Sequence, residues 1–360
     1  MANEHDKKIC LDEIHKMISE AVLRLAQGND YSDEALKLLV EERQCELISI
    51  IKAETRQMLE ATMPRMLTEH RNIKIGFEKR TYERWSEAFD YFEALIVMSE
   101  EMCEANDKAI RPRAVKSRNY IFESISHLAP RGILISREIL CLLLAGYPDG
   151  ALARWRSLHE CTVIAAFLTK SKSQRIAELY LRSFEFSALR AAKDYNKYAI
   201  RANLDPFEDS YISELELHCA EIAEYLGGPL DRDYDWAKPA LQSQHPSFTA
   251  IERAVGMDHW RPRYRWASQH THAGHRPADK LLGMAEHDNY ALLMGPSNSG
   301  FTDPFHMSSI SLINLVINFL FLDPNADRIV YAEILKEFSD LVGEKAFKVY
   351  ETEKDSLRQG

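Results

Sequence analysis

The chain has 360 residues, 46% of them hydrophobic and 28% charged, with a formal net charge of −10; this is the make-up of a globular protein and excludes a disordered or fibrous one. Residues 1–110 hold 15 Lys+Arg against 23 Asp+Glu and the remainder 30 against 32, so any contact with a polyanion belongs to local basic patches beyond the acidic N-terminal third. The start, MANEHDKKIC, lacks the apolar core of a secretory signal. The longest apolar run, LINLVINFLFL at 312–322, is about half a bilayer span. Six scattered cysteines show neither CxxC nor metal-finger spacing. A cytoplasmic chain with reduced thiols and no membrane partner is the expectation.

In chain order, an apolar pattern of period 3.6 recurs in segment after segment, and strand signals are almost absent. Helices are predicted over 10–27, 33–70, 77–106, 113–145, 148–170, 173–202, 206–226, 247–255, 262–273, 305–322 and 326–354. The expected fold is therefore an all-α, multi-helix, bundle-like array. Ser32 reads as an N-cap followed by acids that complement the helix dipole. Pro148 suits a first helical position, where its missing N–H costs nothing. Gly227 marks a helix end, and Pro64 and Pro130 mark kinks or breaks. Residues 289–300, NYALLMGPSNSG, read as a loop with a short extended piece. A boundary is placed within 105–117. It divides an acidic amphipathic N-terminal lobe (1–110), suited to partner or self association, from a helical core domain (111–360).

The densest polar chemistry lies in RPRYRWASQHTHAGHR, residues 261–276. On a helix from Pro262 to Ala273, Arg265, Ser268 and His272 share one stripe, with Tyr264 at its edge, because residues seven apart return to within about 20°. His270, five residues from Arg265, points about 140° away. Histidine can take or give a proton at neutral pH, and arginine can hold charge building on phosphorus. This makes Arg265, Ser268 and His272 the candidate catalytic residues for a phosphodiester, with Arg261, Arg263, Tyr264 and Arg276 as candidate substrate contacts. Trp260, Tyr264 and Trp266 offer faces for base stacking. The structural alternative pairs His272 with a neighbouring helix and the arginines with acids.

His270, His272 and His275 also give an H-x-H-x2-H spacing. Residues two apart diverge by about 200° on a helix, and no carboxylate lies inside the stretch, so no metal site is expected there. Glu286, His287 and Asp288 form a doublet-like cluster without the apolar helix that would normally precede it. In ALARWRSLHECTVIAAFL (151–168), Arg156 and Glu160 are four apart and can pair beside His159. The pair serves either as a helix contact or as a support that orients His272. Asn314 and Asn318, also four apart on an apolar helix, need partners; these are neighbouring helices, or Arg156 and His272. No nucleotide-binding glycine loop, nucleophile elbow or Cys–His signature appears, and no cofactor is expected.

At Arg156, Ser157 and Glu160, followed about a hundred residues later by Ser268 and His272, the chain resembles a bacterial all-helical family catalogued as a domain of unknown function. This resemblance spans roughly 115–325 and brings no activity with it. Arg265 to His270, Arg265 to His272 and Arg263 to His270 also resemble the R-x4-6-H hallmark of the HEPN superfamily of helical ribonucleases. Trp266 stands where those nucleases often carry a polar residue. The second resemblance implies a HEPN-like core with an N-terminal helical extension and a metal-independent ribonuclease or RNA-binding effector. It also implies a homodimer and a role in toxin or phage-defence systems, with Arg265 and His272 assisting attack by the 2′-hydroxyl. The competing expectation is a non-catalytic helical scaffold or sensor, in which the same residues form an internal polar network.

Overall fold

A computed structural model describes residues 9–26, 32–275, 277–284 and 293–359. Among them the chain is helical, with no strand, and the all-α expectation holds. The chain divides into two compact units, 1–77 and 78–360.

The smaller unit holds α1 (Ile9–Leu25), α2 (Asp33–Glu42) and the first part of α3 (Gln44–Ser117). Ser32 caps α2, its hydroxyl accepting from the Ala35 amide. Arg24 of α1 grips Glu54 of α3 with two hydrogen bonds of 2.6 and 2.7 Å. The helices predicted over 33–70 and 77–106 differ from those observed. The chain breaks at Arg43 and then runs as one helix through Pro64 and Gly76, leaving helical dihedrals only at Trp85 (φ −108°, ψ 17°). A glycine inside a helix costs only about 1 kcal/mol, too little to end one that packing holds. Trp85, Phe89, Phe92, Leu95 and Ile96 of α3 are buried in the core of the larger unit.

That core is built by α4 (Tyr120–Leu144), α5 (Pro148–Ser171), α6 (Gln174–Ala199), α7 (Asp209–Leu226), α8 (Lys238–Leu241), α9 (Phe248–Val255), α10 (Arg261–Ser268), α11 (Thr302–Leu320) and α12 (Ala326–Gln359). Helices α4, α5 and α11 pack on one another. Gly132 of α4 lets α11 approach closely, since a Cβ there would lie 2.1 Å from a Leu315 methyl. Pro130 sits inside α4 without ending it. Trp155, fully buried on α5, donates from its indole to Met307 O and Ser311 Oγ of α11, both at 2.9 Å. The end of the loop after residue 292 is seated by Trp85, which donates to Asn298 O at 2.8 Å. No described helix is long and apolar enough to cross a membrane.

Candidate functional site

The site is assembled where α5, α9 and α10 meet. Pro148 opens α5, and the turns after it place Arg156, His159 and Glu160 toward α9 and α10. Tyr264 of α10 is buried. Its hydroxyl accepts from Arg156 Nε at 2.8 Å and donates to Glu160 in a short hydrogen bond. Arg156 and Glu160 also meet directly at 3.2 Å. The guanidinium groups of Arg156 and Arg261 lie 4.9 and 5.0 Å from the Tyr264 ring centre, a cation–π arrangement. Burial, reinforced by the bond to Glu160, pushes the Tyr264 phenol well above its ordinary value, against the opposing pull of Arg156. The neighbouring Tyr234 is pushed up to about 12 by burial and by the Glu160 charge. Both phenols are therefore neutral.

Beneath this lies a second network. His159 and Glu252, at 1% and 0% exposure, meet at 3.3 Å, and Arg261 Nη1 donates to the other Glu252 oxygen at 2.8 Å. The His159 ring is surrounded by Trp155, Phe248, Trp260 and Tyr264, with ring centres 5.1 to 6.5 Å away. A carboxylate in so apolar a place persists only with such partners.

The helix predicted over 262–273 ends at Ser268, and the stripe that united Arg265, Ser268 and His272 ends with it. The last turn tightens into i→i+3 bonds, Gln269 to Trp266, His270 to Ala267 and Thr271 to Ser268, at 3.0 to 3.1 Å. The Ser268 hydroxyl donates to Tyr264 O at 2.8 Å and that of Thr271 to Ser268 O at 2.7 Å, competing with backbone pairing. A tertiary contact holds the exit: His270 turns inward, 3% exposed, to meet Asp149 of α5 at 2.9 Å. Asp149 also accepts from the amides of Leu282 and Gly283 at 2.9 and 3.0 Å. Burial raises the Asp149 carboxyl, and the bonds from His270 and these two amides outweigh it, leaving the group below its ordinary value.

Of the predicted catalytic residues, Ser268 and His272 line one depression, and Arg265 is not among its lining residues. Arg265 is exposed on α10, and His272 is exposed beyond its end. Arg261 is engaged by Glu252, while Arg263 pairs with Asp303 at 2.9 Å. Arg156 and Glu160 hold Tyr264, not His272. Asn314 and Asn318 reach neither the site nor another helix. Their amides donate to carbonyls one turn back on α11, Ile310 O at 2.8 Å and Asn314 O at 2.7 Å. Arg276, Glu286, His287 and Asp288 lie outside the described residues. Glu252, Asp149 and the inward His270 were missed by sequence reasoning. The only local hint of Glu252 was an acid in a short, strongly amphipathic helix.

His272 instead lines an open depression of about 480 Å³ with Ser268, Gln269, Gly274, His275, Pro277 and Lys280. Two histidines and one lysine are among its lining residues, and the described lining contains no Asp or Glu. Lys280 meets Asp279 at 2.7 Å, both groups being about two-thirds exposed; such a pair is weak and readily exchanged. His270 does not join His272 and His275, and among the described residues no three His, Cys, Asp or Glu side chains come together as a metal site.

These features define an all-helical protein whose α4–α10 region carries a buried polar network beside an open depression lined by His272, His275 and Lys280. Residues 122–290 match the model of DUF5677, a family of unknown function. No curated protein matches the chain, and no solved structure does.

Proposed function

We propose that the protein is a metal-independent, HEPN-like ribonuclease or RNA-binding effector, working at the depression beside the end of α10. The observation that carries this reading is the meeting of His272, His275 and Lys280 around one open space whose described lining lacks a carboxylate. Histidine is the side chain suited to exchanging protons at neutral pH. One imidazole of the pair takes the proton of the attacking 2′-hydroxyl, and the other returns one to the departing 5′-oxygen. The Lys280 ammonium steadies the charge on phosphorus. Arg265, exposed on α10, lies outside this lining and contributes by attracting the flanking phosphates. The Asp149–His270 contact fixes the exit from α10 and thereby the position of the rim.

The experiment incubates purified protein with mixed RNA, with and without a chelator, beside His272→Ala and His275→Ala. The expected outcome is chelator-resistant cleavage that both variants lose. Equal cleavage by all three proteins, or none by the wild type together with no RNA binding, rejects the reading.

A second reading, a non-catalytic helical scaffold or sensor, is favoured by the His159–Glu252–Arg261 and Arg156–Glu160–Tyr264 networks, which tie α5 to α9 and α10. It expects substitutions in those networks to lower the melting temperature while no RNA activity exists to be lost.

A further inference from the structure

The long helix α3 bends where its own sequence gives no cause. It leaves helical dihedrals at Trp85 (φ −108°, ψ 17°), yet no proline or glycine lies between Gly76 and Pro112. Helix kinks arise at proline, at glycine, or where an outside group intrudes, so this one answers to a contact. Asn298 supplies it. Its backbone carbonyl accepts from the Trp85 indole at 2.8 Å, and its side-chain carbonyl accepts from Arg84 Nη1 at 3.1 Å. The Trp85 ring also stacks on Phe301, with centres 5.1 Å apart. The loop that carries Asn298 is thus fastened to the bend of α3.

From that loop a continuous run of hydrogen bonds leads to the depression beside α10. The Ser297 amide donates to Gly146 O, at the corner between α4 and α5, at 2.9 Å. The Ser297 and Ser299 hydroxyls meet at 3.0 Å, and that of Ser299 donates to Gly283 O at 3.1 Å. Gly300 passes so close to Leu282 that a Cβ would stand 2.2 Å from its carbonyl oxygen. The Leu282 and Gly283 amides donate to Asp149, and Asp149 meets His270. His270 lies in the tightened turn that ends α10, and His272 follows it. Trp85, Ser297, Ser299 and Leu282 are buried, so solvent does not replace a partner lost there. All of these residues belong to the larger unit.

We propose that Trp85 and Asn298 are positioning residues for this depression: the bend of α3 holds Asn298, and the run through Ser299, Gly283, Asp149 and His270 carries that hold to His272. Coupling over such a distance travels through packed, hydrogen-bonded elements with two discrete arrangements. Here these are the loop seated on α3 and the loop released from it. The proposal rests on the RNA reading for what the depression does. Its test is read without RNA, so each can fail while the other stands.

The test compares hydrogen exchange, amide by amide, in the full-length wild type and in Trp85→Phe, which keeps an aromatic ring against Phe301 and removes the indole donor. Local opening is read from the particular amides that it exposes. Leu282 and Gly283 should exchange about five- to tenfold faster, the factor that one lost hydrogen bond is worth. Amides in the middle of α5 and α11, such as those of Leu158 and Leu315, should change by a clearly smaller factor. Asn298→Ala, which removes only the acceptor facing Arg84, should speed the same two loop amides with the indole still in place. Ser299→Ala cuts the run at its middle and should do so as well. Because these changes act on one path, Asn298→Ala/Ser299→Ala should be no faster at Leu282 and Gly283 than the faster single variant. Wild-type rates at Leu282 and Gly283 in the variants, or effects that multiply in the double variant, overturn the proposal. So does acceleration by the same factor at Leu158 and Leu315, which would make Trp85 and Asn298 parts of the core alone.

Discussion

Replacing Glu252 by Ala gives the most direct test of how the α5–α9–α10 junction is held. The carboxylate is wholly buried; one oxygen faces His159 and the other accepts from Arg261. Its removal leaves an imidazole at 1% exposure and a guanidinium at 25% exposure without their shared partner. Breaking a buried ionic contact by deleting one member costs about 3–5 kcal/mol. Arg261 can turn partly toward water, which puts the expectation near the lower end, at about 3 kcal/mol. The exposed Arg263–Asp303 pair, at 47% and 41%, supplies the internal comparison. Asp303→Ala should cost no more than about 1 kcal/mol, as surface pairs do. Urea denaturation followed by circular dichroism measures both, and a double-mutant cycle of Glu252→Ala with Arg261→Met isolates their coupling. A Glu252→Ala cost as small as that of Asp303→Ala would refute the reasoning, because the network would then contribute no more than a surface contact.

Asp149→Asn should destabilise the protein by about 2 kcal/mol at neutral pH, since hydrogen bonds to a charged group are lost. The folded carboxyl lies below its ordinary value of 3.8. The wild-type advantage should therefore be complete above that value and disappear as pH falls through the lower folded one; thermal melts from pH 7 to pH 2 would show it, and a gap unchanged at pH 2 would contradict it. Gly300→Ala should cost at least about 2 kcal/mol, because φ is +75° and the new Cβ would stand 2.2 Å from Leu282 O; a neutral effect in denaturation would show that the turn relaxes. Tyr264→Phe should cost only about 1 kcal/mol, since Arg156 and Glu160 already meet at 3.2 Å; a loss as large as that for Glu252→Ala would mean the hydroxyl, not the ion pair, closes the junction.

Much of the fold was legible because its information is local. The helix predicted over 148–170 is observed at Pro148–Ser171, with Pro148 opening it and a regular apolar stripe behind it. The αL glycine at 227, with φ +82°, ends α7 as its neighbours implied. The site was less legible. Extending the helical phase from Arg265 to His272 assumed an unbroken helix. What ends α10 is a contact between His270 and Asp149, 121 positions apart, together with hydroxyls that bond the backbone. Neither leaves a periodic trace. The same holds for His159 and Glu252, 93 positions apart. Arg156 and Glu160 were recognisable as a pair from their spacing alone. Their shared partner, Tyr264, was not, since a tyrosine at the edge of a helical stripe looks the same whether it meets solvent or a guanidinium.

Cleavage of an RNA oligonucleotide, compared with its 2′-deoxy counterpart in the presence of chelator, tests the central claim most directly. The expected result is cleavage of the RNA alone, lost in His272→Ala and retained in Asp303→Ala. An RNA left intact and unbound by the wild type, or cut equally by wild type and His272→Ala, would contradict it.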